Sequence, residues 1–114
     1  MEDCIFCKIA RGEIPSSKVY EDEQVVAFND LNPQAPVHVL IVPKAHYANL
    51  NEAGGMPEAL LAALLRAASR IAAQLGLDKS GYRIVSNCGP DACQSVQHLH
   101  IHLLGGAKLA EKMS

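Results

Sequence analysis

The stretch that decides the fold is Gln97-His98-Leu99-His100-Ile101-His102-Leu103-Leu104, in which histidines alternate with apolar residues. A period of two is that of a β-strand, so the spacing predicts a strand over 97–104 with three imidazoles on one face and apolar side chains on the other. Three aligned imidazoles are hard to explain as core packing, because Val or Ile would be more stable there. Histidine serves proton transfer, nucleophilic attack and metal binding near neutral pH, so the row predicts a chemical site.

The composition limits the partners of this site. A chain of 114 residues suits one domain, over 1–114, and a hydrophobic fraction of 49% supports a real core. The net charge of -2 provides no basic surface for nucleic acid. No apolar run reaches membrane-spanning length and no leader is evident. We therefore expect a soluble, cytoplasmic protein with neither nucleic acid nor a membrane as partner.

The remaining segments predict a mixed scaffold. Asp3 caps a short helix from Cys4 to about Arg11, and an apolar stripe at helical spacing predicts a long helix that opens at Met56-Pro57-Glu58 and ends at Gly76. Residues 51–55 are predicted to form a loop. Period-two patterns and turn residues predict further strands over 18–21, 24–29, 37–43 and 82–87, of which the first two form a hairpin.

Cys4 and Cys7 form a C-x-x-C pair at the start of the short helix. The pair has three interpretations: a redox couple, half of a zinc site, or chance. A thioredoxin-like redox couple expects a preceding strand, for which there is no room. Half of a zinc site needs two more ligands, and histidines are available.

Other polar residues have both a structural and a functional interpretation. His38 lies in the apolar strand 37–43 and is an ordinary core histidine unless this strand neighbours the histidine row. Asp30 begins a proline-rich loop and is either a turn-forming carboxylate or a partner for a sugar diol. Asn87, Gln94 and Ser95 flank the histidine row with neutral hydrogen-bond donors, which suit the oxygens of an anion.

Two chemistries compete for the three histidines. A single zinc ion fits them poorly, since the first and third same-face residues of a flat strand lie about 13 Å apart. Alternatively, the central His100 attacks phosphorus as a nucleophile while its neighbours orient it, protonate the leaving group and bind oxygens. The sequence offers no carboxylate cluster for a two-magnesium site, which favours the covalent route.

The stretch 98–104 resembles the signature of the histidine triad (HIT) superfamily of nucleotide hydrolases and transferases, and the resemblance spans nearly the whole chain. Residues 4–15, 26–30, 32–38, 42–46 and 94–96 are similar to the Hint branch, the nucleoside phosphoramidases. This resemblance implies an α+β fold with an antiparallel sheet of about five strands, one long helix and one short helix. It further implies a homodimer whose sheets join.

The resemblance also implies an activity: cleavage of purine nucleoside 5'-phosphoramidates, such as an adenylated amine or lysine, to a nucleoside monophosphate. By match of motif, His100 is the nucleophile, and the phosphate is surrounded by His38, His102, Asn87 and Ser95. Asp30 binds the ribose hydroxyls. The apolar residues implied to line the base pocket are Phe6, Ile9, Phe28 and Leu31. A dinucleoside polyphosphate hydrolase and a nucleotide-binding module with little turnover are the alternatives.

Zinc-containing members of the superfamily place ligands at positions that match Cys4, Cys7, His46 and His98. The resemblance therefore implies a closed structural zinc site, in which His98 binds the ion and His100 stays free for chemistry. No organic cofactor is implied. The chain departs from Hint proteins after Gly105-Gly106, where their tryptophan- and proline-containing tail is replaced by 107–114.

Overall fold

Five antiparallel strands form one sheet in the order β1-β2-β3-β5-β4. The structure is a computed structural model that describes residues 4–112. The strands are β1 (Lys18–Glu21), β2 (Val25–Asn29), β3 (Val37–Pro43), β4 (Tyr82–Val85) and β5 (Ile101–Gly105). The predicted five-stranded antiparallel sheet is confirmed. The central strand β3 pairs with both β2 and β5, so His38 does lie on the strand beside the histidine row.

The sheet is buried on both faces because β3 alternates between two cores. Val39 and Ile41 pack on one face with the long helix α2 (Glu58–Gln74). Leu40 and Val42 pack on the other face with the short helix α1 (Ile5–Ala10). This double burial explains the unbroken apolar run of β3, and it leaves α1 on the same face of the sheet as His38.

Three predicted boundaries differ from the structure. The N-cap of α1 is Cys4, whose Sγ accepts a hydrogen bond from the backbone N–H of Cys7 at 3.4 Å, and Asp3 lies outside the described residues. Residues 51–55, predicted as a loop, belong to a 3₁₀ turn (Leu50–Gly55). The strand predicted over 82–87 ends at Val85.

The histidine row is only partly a strand, which corrects the prediction of a strand over 97–104. Strand β5 begins at Ile101, opposite Ile41 of β3. Continuing this register would bring Leu99 opposite Pro43, which has no N–H to donate to the Leu99 carbonyl. The Leu99 N–H donates to the carbonyl of Tyr47, a residue outside the strands, at 2.6 Å. The backbone therefore joins the sheet only at Ile101, after His98 and His100, and the three imidazoles are not held in one flat row.

A long-range hydrogen bond links the C-terminal segment to the sheet. The Arg83 guanidinium on β4 donates to the carbonyl of Ala110 at 2.7 Å, which ties the C-terminal segment to the edge of the sheet. Within residues 4–112, neither helix is both long and apolar enough to cross a membrane.

Candidate functional site

Helix α1 brings its two thiols against two histidines. The Cys4 Sγ lies 3.3 Å from the His98 Nδ1, and the Cys7 Sγ lies 3.2 Å from the His46 Nδ1 and 3.5 Å from the His98 Nδ1. All four ligand atoms lie within 4.8 Å of one another. We call this group (Cys4, Cys7, His46, His98) the Cys₂His₂ cluster.

The geometry of the Cys₂His₂ cluster fits a tetrahedral metal ion. Zn–S and Zn–N bonds of about 2.3 and 2.1 Å at tetrahedral angles separate sulfur from nitrogen by about 3.5 Å, close to the distances above. The His98 Nε2–H donates to the Pro43 carbonyl at 2.8 Å, which leaves Nδ1 as the lone pair toward the thiols. Burial raises the pKa of the Cys7 thiol, so its thiolate requires a nearby cation. The structure thus offers four donors and a fixed histidine tautomer for a metal ion.

His100 is held in one tautomer by the backbone. Its Nδ1 lies 2.7 Å from the His98 carbonyl, and because a carbonyl only accepts, Nδ1 carries the proton. The lone pair is consequently on Nε2, the nitrogen able to attack an electrophile. The ring is 3% exposed and meets the Phe6 ring edge-on, with centroids 5.2 Å apart. A buried, oriented imidazole with a free Nε2 lone pair is suited to nucleophilic attack.

His38 and His102 form a hydrogen-bonded relay. The Gln34 N–H donates to the His38 Nδ1 at 3.0 Å, so His38 carries its proton on Nε2. That Nε2–H donates to the His102 Nδ1 at 2.8 Å, which places the His102 proton on its own Nε2. This Gln34–His38–His102 relay therefore presents the Nε2–H of His102 as a donor. The centroids of the His102 and His100 rings are 5.0 Å apart.

Both relay histidines are neutral at pH 7. The pKa of His102 is lowered to about 4, mainly by burial and also by the neighbouring His100 and His38, against a smaller rise caused by the Asp30 carboxylate. Burial also lowers the pKa of His38. The hydrogen bonds explain the direction: each Nδ1 already accepts a bond, so neither ring has a free site for a second proton.

Asp30 lies beside the relay and also lines a cavity that is described below. Its Oδ1 accepts from the Asn32 N–H at 2.8 Å, and its Oδ2 lies 3.4 Å from the His38 Nε2. The carboxylate, His38 and His102 also lie close enough together to hold a metal ion. Metal binding at this place is disfavoured, because a metal ion would displace the proton from the His38 Nε2. That proton would have to move to the His38 Nδ1, which already accepts from the Gln34 N–H.

A cavity of about 280 Å³ lies between α1 and the adjoining part of the sheet. Its walls are mostly aliphatic and aromatic, with a few serine, asparagine and aspartate side chains. Phe6 and Leu40 connect the cavity to the histidines, since Phe6 contacts the His100 ring and Leu40 pairs in register with His102. The lining residues are Ile5, Phe6, Ile9, Ile14, Pro15, Ser16, Ser17, Phe28, Asn29, Asp30, Leu31, Leu40, Ser95 and Val96.

The HIT domain family matches residues 11–109. The chain belongs to the HIT family. It is 57% identical to an uncharacterised HIT-like protein of Synechococcus elongatus over 96% of this chain and 95% of that one. It is 51% identical to a 14 kDa zinc-binding protein of Zea mays over 92% of this chain and 83% of that one. A solved HIT family hydrolase from Clostridium thermocellum superposes with a TM-score of 0.92 at 48% identity, covering 100% of this chain and 99% of that one.

The HIT fold places most of the residues predicted to bind substrate around one cavity. Of the predicted substrate-binding residues, six line it: Phe6, Ile9, Phe28, Asp30, Leu31 and Ser95. Leu31 is 98% exposed, at the rim. Asn87 lies outside the lining, two residues beyond the Val85–His102 pair of β4 and β5.

Gln94 is also outside the cavity lining, and its side-chain amide is already hydrogen-bonded to nearby backbone groups. Its Oε1 accepts from the Gly89 N–H at 2.9 Å, and its Nε2 donates to the carbonyls of Ala48 and Val96 at 2.7 and 2.9 Å. These bonds brace the segment that leads into the histidines. A direct contact from Gln94 to a ligand would require one of them to be exchanged.

Sequence reasoning missed the groups that fix the histidine tautomers. They are the Gln34 N–H and the carbonyls of Pro43 and His98. Backbone groups have no signature in the sequence. Ser16 was also missed: its Oγ is buried without a hydrogen-bond partner among residues 4–112, and the residue lines the cavity.

Proposed function

We propose that this protein is a purine nucleoside phosphoramidase that works through a covalent nucleotidyl-His100. The observation that carries the proposal is the tautomer of His100, whose Nδ1–H is bonded to the His98 carbonyl at 2.7 Å. This bond leaves the Nε2 lone pair for attack. The similarity to a HIT family hydrolase supports a hydrolytic reaction.

The proposed reaction has two balanced displacements at phosphorus. The His100 Nε2 lone pair forms a P–N bond while the bond to the leaving amine breaks, and its electron pair departs with an amine nitrogen that is already protonated. The ring then carries a positive charge, which its Nδ1–H shares with the His98 carbonyl. Water next forms a P–O bond, the P–Nε2 electron pair returns to the ring, and the proton of water passes to solvent.

The relay stabilises the transferring phosphoryl group in this proposal. A neutral His102 is a poor acid, because loss of its Nε2–H would leave an anionic ring. We assign that N–H to a non-bridging phosphate oxygen, where charge develops in the transition state. The sequence suggested instead that a neighbouring histidine protonates the leaving group. The lowered pKa of His102 favours the role of hydrogen-bond donor to the phosphate. Asn87 and Ser95 are proposed as further donors to the phosphate.

The nucleoside is assigned to the cavity. The aromatic rings of Phe6 and Phe28, 5.5 Å apart between centroids, supply apolar surface for a purine base together with Ile9 and Leu31. The Asp30 Oδ2 is proposed to accept from the ribose hydroxyls. Loss of the diol in a 2'-deoxy substrate is therefore expected to raise KM in the wild type, and Asp30→Asn is expected to reduce that discrimination.

The decisive experiment is a single-turnover reaction with an adenosine 5'-phosphoramidate, followed by intact-protein mass spectrometry. We expect release of the amine and an AMP-sized adduct that maps to His100. His100→Ala is expected to abolish adduct and turnover while it retains the fold and AMP binding. Full activity in His100→Ala would overturn the covalent route. An adduct formed only from dinucleoside polyphosphates would indicate the alternative hydrolase, and tight AMP binding without turnover would indicate a binding module.

We also propose that the Cys₂His₂ cluster binds one structural zinc ion. The ligand distances support this assignment, and a relative in Zea mays is named a zinc-binding protein. Four protein donors leave no open coordination position for substrate, so bound zinc would stabilise the site by cross-linking α1 to His46 and His98. Protein purified without chelators is expected to contain one zinc per chain and to lose thermal stability on chelation. Absence of stoichiometric zinc would refute this assignment.

The proposed oligomer is a homodimer in which the sheets join at β4. Among residues 4–112 this strand pairs only with β5, and Tyr82 and Ile84 are each 42% exposed on it. An exposed apolar strand edge favours pairing with a second copy. Light scattering is expected to give twice the 12.2 kDa chain mass, and Ile84→Lys is expected to halve it. Leu50→Lys, which replaces a 50% exposed leucine elsewhere, is the control. A monomeric wild type at all concentrations would contradict the dimer.

A further inference from the structure

Phe6 lies between the Cys₂His₂ cluster and the nucleophile. It stands between the two cysteines in the first turns of α1, and its ring is 6% exposed. The ring meets His98 and His100 edge-on, with centroids 5.9 and 5.2 Å away. Because α1 has only six residues, it has little stability of its own and depends on its contacts. The position of Phe6 against His100 therefore depends on how Cys4 and Cys7 are held.

His98 provides a second connection between the same two places. Its Nδ1 faces both cysteine sulfurs at 3.3 and 3.5 Å, and its Nε2–H is bonded to the Pro43 carbonyl. Its own backbone carbonyl accepts the Nδ1–H of His100. The residue is fully buried. A displacement of the His98 side chain within the cluster thus moves the carbonyl that orients the His100 ring.

We propose that the Cys₂His₂ cluster positions His100 for attack, through the Phe6 ring and the His98 carbonyl, in addition to stabilising the fold. The inference rests on the proposed function, since it concerns the rate of nucleotidyl transfer to the His100 Nε2. Phe6 and His98 are positioning residues here. A reacting pair misplaced by about 1 Å can lose about a hundredfold in rate. Small movements of the Phe6 ring and the His98 carbonyl are therefore sufficient to slow the attack.

The proposal separates the rate of attack from nucleotide affinity. Asp30 is anchored by the Asn32 N–H, and Phe28 is held in β2 although its ring also meets Phe6, so neither depends on the cluster alone. Part of the proposed nucleotide-binding site therefore stays in place when the cluster is disturbed. The orientation of His100 depends on the cluster more, because its contacts with the Phe6 ring and the His98 carbonyl lead to the cluster, whereas its contact with the His102 ring does not. Disturbing the cluster should lower kcat more than it raises KM.

The first experiment compares the full-length protein with zinc bound and after removal of zinc under reducing conditions. Three quantities are measured: adduct formation in a single turnover at saturating substrate, AMP affinity, and the His100 tautomer by ¹⁵N NMR. Without zinc we expect the rate to fall by at least about tenfold, the AMP Kd to change much less, and the pure Nδ1–H signature of His100 to be lost. Added zinc should restore all three. An unchanged rate in folded, zinc-free protein would overturn the proposal.

A second experiment applies if the zinc-free protein does not fold. Phe6→Leu and Phe28→Leu each remove one ring from the same cavity, but only Phe6 meets the ring of His100. With one zinc bound in each, Phe6→Leu is expected to lower kcat by about tenfold or more and to perturb the ¹⁵N signals of His100. Phe28→Leu is expected to act mainly on KM. Equal losses of kcat in the two variants would refute positioning by Phe6.

The two proposals fail in different ways. If zinc-loaded wild type forms no His100 adduct from any nucleoside phosphoramidate or dinucleoside polyphosphate, the proposed function is wrong. If the adduct forms at a rate that depends neither on the cluster nor on Phe6, the function stands and the positioning role alone is wrong.

Discussion

At the scale of single residues, the chemistry of each histidine is set by what its two nitrogens contact. His98 turns Nδ1 to two thiols, whereas His100 turns Nδ1 to a carbonyl and His102 accepts from His38. Identical side chains two positions apart therefore suit three tasks: metal ligand, nucleophile and donor to phosphate. These tautomers follow from fixed donors and acceptors, of which the backbone supplies most.

Ser16 allows a test of residue-level energetics. Its Oγ is buried and has no hydrogen-bond partner within residues 4–112, whereas the Ser17 Oγ accepts from the Asn29 Nδ2 at 3.0 Å. An unsatisfied buried hydroxyl carries a desolvation penalty of about 1–3 kcal/mol. Ser16→Ala is thus expected to leave the free energy of unfolding unchanged or to raise it by up to about 1 kcal/mol. Ser17→Ala should lower it slightly.

Urea unfolding of the two alanine variants, side by side with the wild type, measures this difference. Both variants lose the same atom from neighbouring positions at the same cavity, so Ser17→Ala is a matched control. A larger loss of stability in Ser16→Ala than in Ser17→Ala would show that the Ser16 hydroxyl does make a stabilising contact in the free protein.

At the scale of elements, Gly106, the residue that follows β5, is closely packed against the start of β3. Gly106 has a φ of +87°, and a Cβ there would lie 3.0 Å from the Pro36 Cβ and 3.3 Å from the Val37 N. Gly76, just beyond α2, has a similar φ of +74°, but a Cβ added there would meet nothing within 4 Å. The two glycines therefore share the backbone conformation and differ in surroundings.

Alanine substitutions at these glycines should separate backbone strain from steric conflict. A left-handed φ alone costs about 1–2 kcal/mol for alanine, which we expect for Gly76→Ala. Gly106→Ala adds overpacking against the start of β3, for a total of about 2–4 kcal/mol. Thermal unfolding measures both. Equal losses would mean that the loop before β3 yields to the added methyl group.

At the scale of the whole molecule, the buried histidines make stability depend on pH. An unfolded histidine titrates near 6.5, whereas the pKa of His102 in the folded protein is about 4. Between these values the unfolded chain binds more protons, so acid favours unfolding. The contribution of His102 is fully present above about pH 6.5 and is lost as the pH falls toward about 4.

We expect this histidine to remove on the order of 2 kcal/mol from the free energy of unfolding over that range. Urea unfolding between pH 7.5 and 4.5 measures the loss, with His102→Gln as the control. The variant keeps polar side-chain atoms but cannot titrate, so its stability should fall less steeply. Parallel pH profiles for the two proteins would show that other groups, including the ligands of the Cys₂His₂ cluster, account for the acid loss.

The local sequence was sufficient for the elements whose pattern repeats. The apolar run 37–43 predicted the bounds of β3, and the helical stripe predicted α2 to within a few residues, because the side chains of each segment carry its burial pattern. It was not sufficient at 97–100, where alternation predicted a strand. There Pro43 on the neighbouring strand offers no N–H to the Leu99 carbonyl, and the Leu99 N–H donates to the Tyr47 carbonyl outside the strands.

The residue patterns predicted five strands, two helices, the histidine row and the cysteine pair, and the resemblance added the family and the α+β fold with one antiparallel sheet. The contacts between atoms became visible only in the folded chain. The tertiary structure brought α1 to the histidines, gave each imidazole its tautomer and connected the Cys₂His₂ cluster to His100 through Phe6. The physical reason is that burial periodicity is a local property of side chains. Hydrogen-bond partners, by contrast, depend on the path of the folded backbone, both for a partner near in sequence, as the His98 carbonyl is to His100, and for a distant one, as the Pro43 carbonyl is to His98.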